Sequence, residues 1–279
     1  MLQKTRIGFI GSGKMAEAMI SGLLKAESVT ADQIIATGPH QERATELSGQ
    51  YVGITTGTDN HLALEADIIV LAVKPQKLAQ VMGQLRGQLK ETQLVVSIAA
   101  GVTLATLVQG LNHLSVVRSM PNTPGRIGQG ITVWTCTSEV TDSQKEQVST
   151  LLRSLGVEVF VDDEEHLDRV TALSGTGPAY VFLFMESLTD AGVRIGLPWY
   201  LAKLLAIQTV KGSVIYAESA KDHLAQLRND VTSPGGTSAE ALHQLEQAGF
   251  RHAIATAVEA AHQKCLELGR MLAEKLSKL

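Results

Sequence analysis

Cysteine is scarce: the chain has two in 279 residues, Cys136 and Cys265, far apart and in no metal-binding spacing. That argues against a disulfide framework and reads as two reduced thiols in a cytosolic protein. The eight histidines are scattered, and neither an H-x-x-x-H nor a C-x-x-C pair occurs, so no metal site is expected. No apolar stretch reaches the roughly 18 residues needed to cross a bilayer, so no membrane association is expected. Only six residues precede the first apolar run, which leaves no room for a targeting peptide and points to the cytoplasm. No dense basic run occurs and the formal net charge is −4, which argues against a nucleic-acid partner. Internal repeats and low-complexity linkers are also missing.

What is present has an ordinary globular balance, 44% hydrophobic and 19% charged, in a chain long enough for two domains. Up to about residue 163, short β-rich runs alternate with helical stretches. The runs are Arg6–Ile10, Ile34–Thr37, Ile68–Val73, Leu94–Ile98, Val116–Met120, Ile131–Cys136 and Val157–Val161. Several are unbroken Val/Ile/Leu blocks, as in strands buried on both faces, so residues 1–163 are expected to form a doubly wound α/β sheet of Rossmann type. Residues 164–279 read instead as successive helices: Glu164–Leu173, Pro178–Val193, Trp199–Ala217, Ala220–Asn229, Ser238–Ala248 and Arg251–Ala273. Many of these helices carry Ala, Leu, Ile and Val on more than one face. A helix of that kind requires burial on more than one side, which predicts an all-α C-terminal domain that forms a subunit interface.

The segment Ile7 to Ala16 carries a G-x-G-x-x-A fingerprint directly after the first strand. Gly11 permits the tight turn, Gly13 lets bare backbone approach a pyrophosphate, and Ala16 keeps the following helix close to the sheet. Ile10, Ser12, Lys14 and Met15 complete a candidate phosphate loop at a helix N-terminus. An NAD-type site has an acid at the carboxyl end of the second strand. Here the acid, Asp32, precedes that strand, which runs instead into Thr37, Gly38, Pro39, His40 and Arg43. A guanidinium would bind a 2′-phosphate that a carboxylate would repel, so NADP(H) is expected over NAD(H), with NADH as the alternative cofactor. Further strand ends should line the cofactor: Ala72, Val73, Lys74 and Pro75; Ala99, Ala100 and Gly101; and Asn122. Asn60 is counted with them. Lys74 reads equally as a cofactor contact or an ordinary turn lysine, and Arg43 as a phosphate reader or a solvated helix residue.

The turn Ser233-Pro-Gly235-Gly236-Thr237-Ser238 leads into a helix, and Thr237-x-x-Glu240 has the form of a capping box. Bare N–H groups at Gly236, Thr237 and Ser238 would suit a carboxylate ligand, although a capped helix after a turn is an equally physical reading. Ser174-Gly-Thr176-Gly-Pro178 is a second Gly-rich lead into a helix, with Pro at the first helical position, and reads by itself as a tight turn between helices.

Taken together, the segment Leu227–Glu246 (LRNDVTSPGGTSAEALHQLE), Ser174–Tyr180, Ala72–Pro75, Met120–Pro124 and Asp190–Val193 resemble, in order along the chain, the motifs of pyrroline-5-carboxylate reductases. The resemblance implies reduction of 1-pyrroline-5-carboxylate to L-proline with NADPH, and a homodimer built by C-terminal helices that often assembles into larger rings. It implies catalytic or substrate roles for Ser238 and Thr237, with Ser233, Gly235, Gly236, Ser174 and Thr176 at the substrate. Many family members carry Thr where this chain has Ser238, and either residue keeps the hydroxyl. Proton delivery to the ring nitrogen can come from solvent, so no indispensable acid is expected. Two alternatives stand beside this reading. One is a β-hydroxyacid dehydrogenase relative, for which Lys203 or Lys211 would have to serve. The other is a non-catalytic dinucleotide sensor.

Overall fold

The computed structural model describes residue 2 and residues 4–276. They fall into two compact units: residues up to 176 together with the end of the chain from 261, and residues 177–260.

The first unit is built on one eight-stranded sheet. Its strands are β1 (Ile7–Ile10), β2 (Ile34–Thr37), β3 (Thr55–Gly57), β4 (Ile68–Leu71), β5 (Leu94–Ser97), β6 (Val116–Met120), β7 (Gly130–Cys136) and β8 (Gly156–Phe160), in the order β3-β2-β1-β4-β5-β6-β7-β8. All pairs are parallel except β6–β7. The helices between strands are α1 (Lys14–Lys25), α2 (Gln41–Gln50), α3 (Pro75–Leu85), α4 (Leu104–Leu111) and α5 (Asp142–Arg153), followed by α6 (Glu165–Val170). Strands β1, β2, β4 and β5 are buried along their whole length, which explains their unbroken apolar blocks. One face packs under α1 and α5 through Met19, Ile20, Leu23, Val148 and Leu151; the other packs under α3 and α4 through Leu78, Met82 and Leu107.

Strand β3 was absent from the expected runs. It is three residues of Thr-Thr-Gly at the sheet edge, none of them buried, so it lacks the apolar signal of a central strand. The expected helix Glu164–Leu173 also differs. After α6 the chain widens into a π-turn at Thr171–Gly175, closed by the Thr176 N–H donating to the Thr171 carbonyl. Such widened turns frequently occur at functional sites.

The second unit contains α7 (Gly177–Arg194), α8 (Trp199–Ser219), α9 (Leu224–Asp230), α10 (Thr237–Gln247) and the start of α11 (Phe250–Leu276). Helices α7 and α8 pack closely because Gly192 has no side chain: a Cβ there would lie 2.9 Å from that of Ala202. Helix α9 begins later than expected, at Leu224, where the His223 ring accepts from the Ala225 N–H. Only Ala202 and Ala206 of α8 are buried, while Trp199, Tyr200, Leu204, Val214 and Ile215 are more than half exposed. The last turns of α11 belong to the first unit, where Leu272 joins the α3–α4 core. No described helix is long and apolar enough to cross a membrane.

Candidate dinucleotide site

A cleft of about 960 Å³ opens at the carboxyl ends of β1, β2 and β4. Strand order reverses between β1 and β4, the switch point at which open α/β sheets bind ligands. Gly11, Ser12, Gly13 and Lys14 form its floor, Pro39, His40 and Arg43 one side, and Val73 and Lys74 the other.

Two glycines shape the floor differently. Gly11 has φ +102°, and a Cβ on it would lie 2.7 Å from the backbone of Ala72, so only glycine lets β1 turn beside β4. Gly13 has an ordinary extended conformation, and a Cβ there would meet nothing within 4 Å. Its missing side chain therefore relieves no contact within the chain and leaves the cleft floor open. Gly13 is also the N-cap of α1 and no side chain caps that helix, so first-turn N–H groups and the positive dipole end remain for an anion. The volume, the open Gly13 position and the uncapped helix fit a dinucleotide pyrophosphate.

The ribose side is more constrained. Arg43 donates from Nε to the Ser12 carbonyl at 2.9 Å, and pairs through Nη2 with Glu17 at 2.5 Å and through Nη1 with Glu46 at 2.6 Å. Burial disfavours the charge on both Arg43 and Glu17, but the bonds they make outweigh it. Arg43 is held above its ordinary value by Glu46 and Glu17, and Glu17 below its own by Arg43 and Lys14. Thr37 lies beneath the cleft rather than in its wall. It is fully buried, with its hydroxyl 3.0 Å from the Asn60 side-chain oxygen and 3.3 Å from the Phe9 carbonyl. Asn60 lines the cleft and donates to Gln84 at 2.8 Å. Glu46, Lys77, Gln80 and Gln84 also line it without having been expected. For Lys77 and Gln84 a signal existed: they follow Lys74 on the cleft side of a helix that starts at a strand end.

The other expected cofactor residues, Ile10, Met15, Ala72, Pro75, Ala99, Ala100, Gly101 and Asn122, do not line this cleft. Ile10 is buried, its carbonyl accepting from Ala72 at 2.8 Å, and Met15 and Pro75 sit in the first turns of α1 and α3. Ala99 and Ala100 follow β5. Gly101 (φ +75°) is buried against α11, where a Cβ would lie 2.7 Å from the Cys265 carbonyl. Asn122 is used internally: it accepts from the Ile131 N–H at 3.0 Å and donates to the Ser174 hydroxyl at 3.2 Å. Ser174 and Thr176 thus lie on the π-turn, with Thr176 donating back to the Thr171 carbonyl. On β6, the buried Arg118 pairs with Glu164 at 2.9 Å and with Asp168, which also accepts from Cys265. Burial and then Asp168 push the Cys265 thiol up to about 11, which keeps it protonated near neutral pH.

In the second unit, the turn at 233–238 departs from expectation at its helix start. Gly236, not Thr237, is the N-cap, and no capping box forms: Glu240 accepts from Gln244 instead. Moving the cap back one residue places Thr237 in the first helical position. The Gly236 N–H donates to the Ser233 carbonyl at 3.0 Å, and Gly235 takes φ +67°. The N–H groups of Thr237 and Ser238 remain at the start of α10, on a turn whose Ser233 and Gly235 are exposed.

Comparison with known proteins bears on both halves of the chain. Residues 164–268 match the family described as pyrroline-5-carboxylate reductase dimerisation, and residues 6–101 match NADP oxidoreductase, coenzyme F420-dependent. A pyrroline-5-carboxylate reductase of Pseudomonas aeruginosa is 40% identical over 270 residues, 96% of this chain and 98% of the relative. The crystal structure of the Plasmodium falciparum pyrroline carboxylate reductase with NADP bound superposes with a TM-score of 0.87 at 33% identity, covering 96% of this chain and 99% of that one. A pyrroline-5-carboxylate reductase structure from Coxiella burnetii gives 0.85 at 36% identity, covering 95% and 99%. With identity of this level running through both the dinucleotide cleft and the helical unit, the chain belongs to the pyrroline-5-carboxylate reductase family.

Proposed function

We propose that this chain reduces 1-pyrroline-5-carboxylate to L-proline with NADPH, as a cytoplasmic homodimer. The observation that carries this reading is the open, uncapped start of α1 at Gly13, in a chain similar to these reductases over nearly its whole length. Functionally, residues 1–163 form the NADP-binding part and 164–279 the substrate-binding and dimerisation part.

When bound, NADPH supplies a hydride to the imine carbon; a proton on the ring nitrogen completes the amine. The chain's own work is to bind and orient. Backbone at Gly11–Lys14 and the first turn of α1 hold the pyrophosphate. The loop Gly38–Arg43, with Asn60, accommodates the ribose, and the buried Thr37 supports Asn60 from beneath. The strand ends at Ala72–Pro75, Ala99–Gly101 and Asn122 wall the nicotinamide side. In the second unit, the Thr237 and Ser238 N–H groups at the start of α10 receive the substrate carboxylate, helped by the bare backbone of Gly235 and Gly236, with Ser233 as a further substrate contact. In the first unit, the π-turn residues Ser174 and Thr176 are further candidate substrate contacts. The Ser238 hydroxyl, with Thr237 beside it, hydrogen-bonds the ring nitrogen. No side chain of this set is a strong acid, which matches a substrate that arrives protonated.

The exposed apolar residues of α7 and α8 support a dimer through these helices, because patches of this extent on one chain mark an interface. Closure of such dimers into a larger ring is part of the same proposal. The net charge gives no support to nucleic-acid binding. The test is NADPH oxidation in the presence of pyrroline-5-carboxylate, with chiral identification of the product. L-proline formation supports the reading, and NADPH binding without turnover would move the assignment to another substrate.

A further inference from the structure

The end of β2 decides between dinucleotides, because the ribose 2′ position is read there. In this chain the one guanidinium at that place, Arg43, is already engaged on three sides. Its Nε and Nη2 are held by the Ser12 carbonyl and by the half-buried Glu17, which fix the side chain against the floor of the cleft. Its remaining nitrogen, Nη1, pairs with Glu46 one helical turn along α2. Glu46 differs from Glu17 in being largely exposed, 57% against 18%, and in lining the cleft itself. The other cleft cations, Lys14, Lys74 and Lys77, come from the segments after β1 and β4, and Lys14 is itself paired with Glu17.

We infer that Glu46 is a specificity-determining residue: its carboxylate occupies the face of Arg43 that a cofactor 2′-phosphate would use, and so limits the preference for NADPH over NADH. The inference rests on the dinucleotide reading of the cleft. A dianionic phosphate arriving at Nη1 meets a carboxylate already bonded there, and must displace it and bear its repulsion. The half-buried Glu17 pairs with Nη2 and keeps the guanidinium in place whether or not Glu46 is present. An exposed acid on α2 thus weakens discrimination that Arg43 would otherwise supply in full.

The test uses the whole protein and two probes that differ only in the group at issue, 2′,5′-ADP and 5′-ADP, titrated calorimetrically. Glu46→Gln is expected to tighten 2′,5′-ADP by roughly three- to fivefold, the range of an exposed ion pair, while 5′-ADP changes less than twofold. Arg43→Gln is expected to weaken 2′,5′-ADP about tenfold, through loss of a charge-assisted bond. In the Arg43→Gln background, Glu46→Gln should lose most of its gain, since the two act through one nitrogen. The gain should also shrink as salt rises. Equal tightening of both probes, or no tightening, overturns the role of Glu46 and leaves the dinucleotide site standing. If the unmutated protein binds neither probe, the dinucleotide reading itself falls, and this inference with it.

Discussion

Replacing Gly13 by alanine should separate folding from cofactor binding. The backbone at Gly13 has φ −76° and ψ −178°, open to any residue, and the new methyl would meet no atom within 4 Å. Its folding cost is limited to the weaker N-cap preference of alanine, about 1 kcal/mol or less. That corresponds to a drop of a few degrees in Tm for a protein of this size. In the proposed site the same methyl stands where a pyrophosphate would approach the first turn of α1. Loss of one charge-assisted hydrogen bond there costs roughly 1.5–3 kcal/mol, or about ten- to hundredfold in the Kd for NADPH. Gly11→Ala is the contrasting control. At φ +102° a side chain costs about 1–2 kcal/mol. Its Cβ would also lie 2.7 Å from the Ala72 backbone, so the β1 and β4 tips must separate. A total near 3 kcal/mol or more follows, with a clear fall in Tm. Thermal denaturation and calorimetric NADPH titration of the two variants decide the matter. Wild-type NADPH affinity in Gly13→Ala, or a loss of stability in it equal to that of Gly11→Ala, would refute the reasoning.

Ser238→Ala should lower kcat/KM with pyrroline-5-carboxylate by about one to three orders of magnitude at unchanged NADPH affinity, the range for one lost transition-state hydrogen bond; full activity would remove Ser238 from the site. Arg118→Met leaves Asp168 and Glu164 without their buried partner and should cost about 3–5 kcal/mol, read as a lower midpoint in urea. The Glu17 carboxyl is held below its ordinary value in the folded chain, so its contribution to stability is present above the unfolded value and lost as pH falls through the folded one. The stability difference between wild type and Glu17→Gln should therefore be constant near neutrality and close below about pH 4, and a difference that grows on acidification would contradict the sign. Leu204, 61% exposed on α8, should lie in the dimer interface. Leu204→Asp should weaken association at least a hundredfold by loss of apolar burial and addition of a charge, and sedimentation at micromolar concentration would reveal an undiminished dimer if this is wrong.

Much of the fold was legible in the residues themselves. Unbroken blocks such as Ile68–Leu71 and Leu94–Ser97 signal strands buried on both faces, and the alternation with helices implies a parallel sheet. The glycine fingerprint marks the turn after β1 because few other chemistries require Gly11 and Gly13 at that spacing. Local pattern could not show β3, a polar edge strand held in register only by β2, or the π-turn at Thr171–Gly175, which depends on hydrogen bonds made in the folded chain. The capping motif at Thr237–Glu240 was misleading for a related reason: cap position is set by where the preceding turn, closed between Ser233 and Gly236, releases the chain. The sequence by itself determined that a glycine fingerprint joins the first strand to a helix and that the second half is helical with apolar residues on more than one face, since both are written in residue type and period. Tertiary structure alone decided which charges share a space. Glu17, Arg43 and Glu46 lie on two helices separated by a strand, and only the pairing of β1 with β2 brings them to one edge of the cleft.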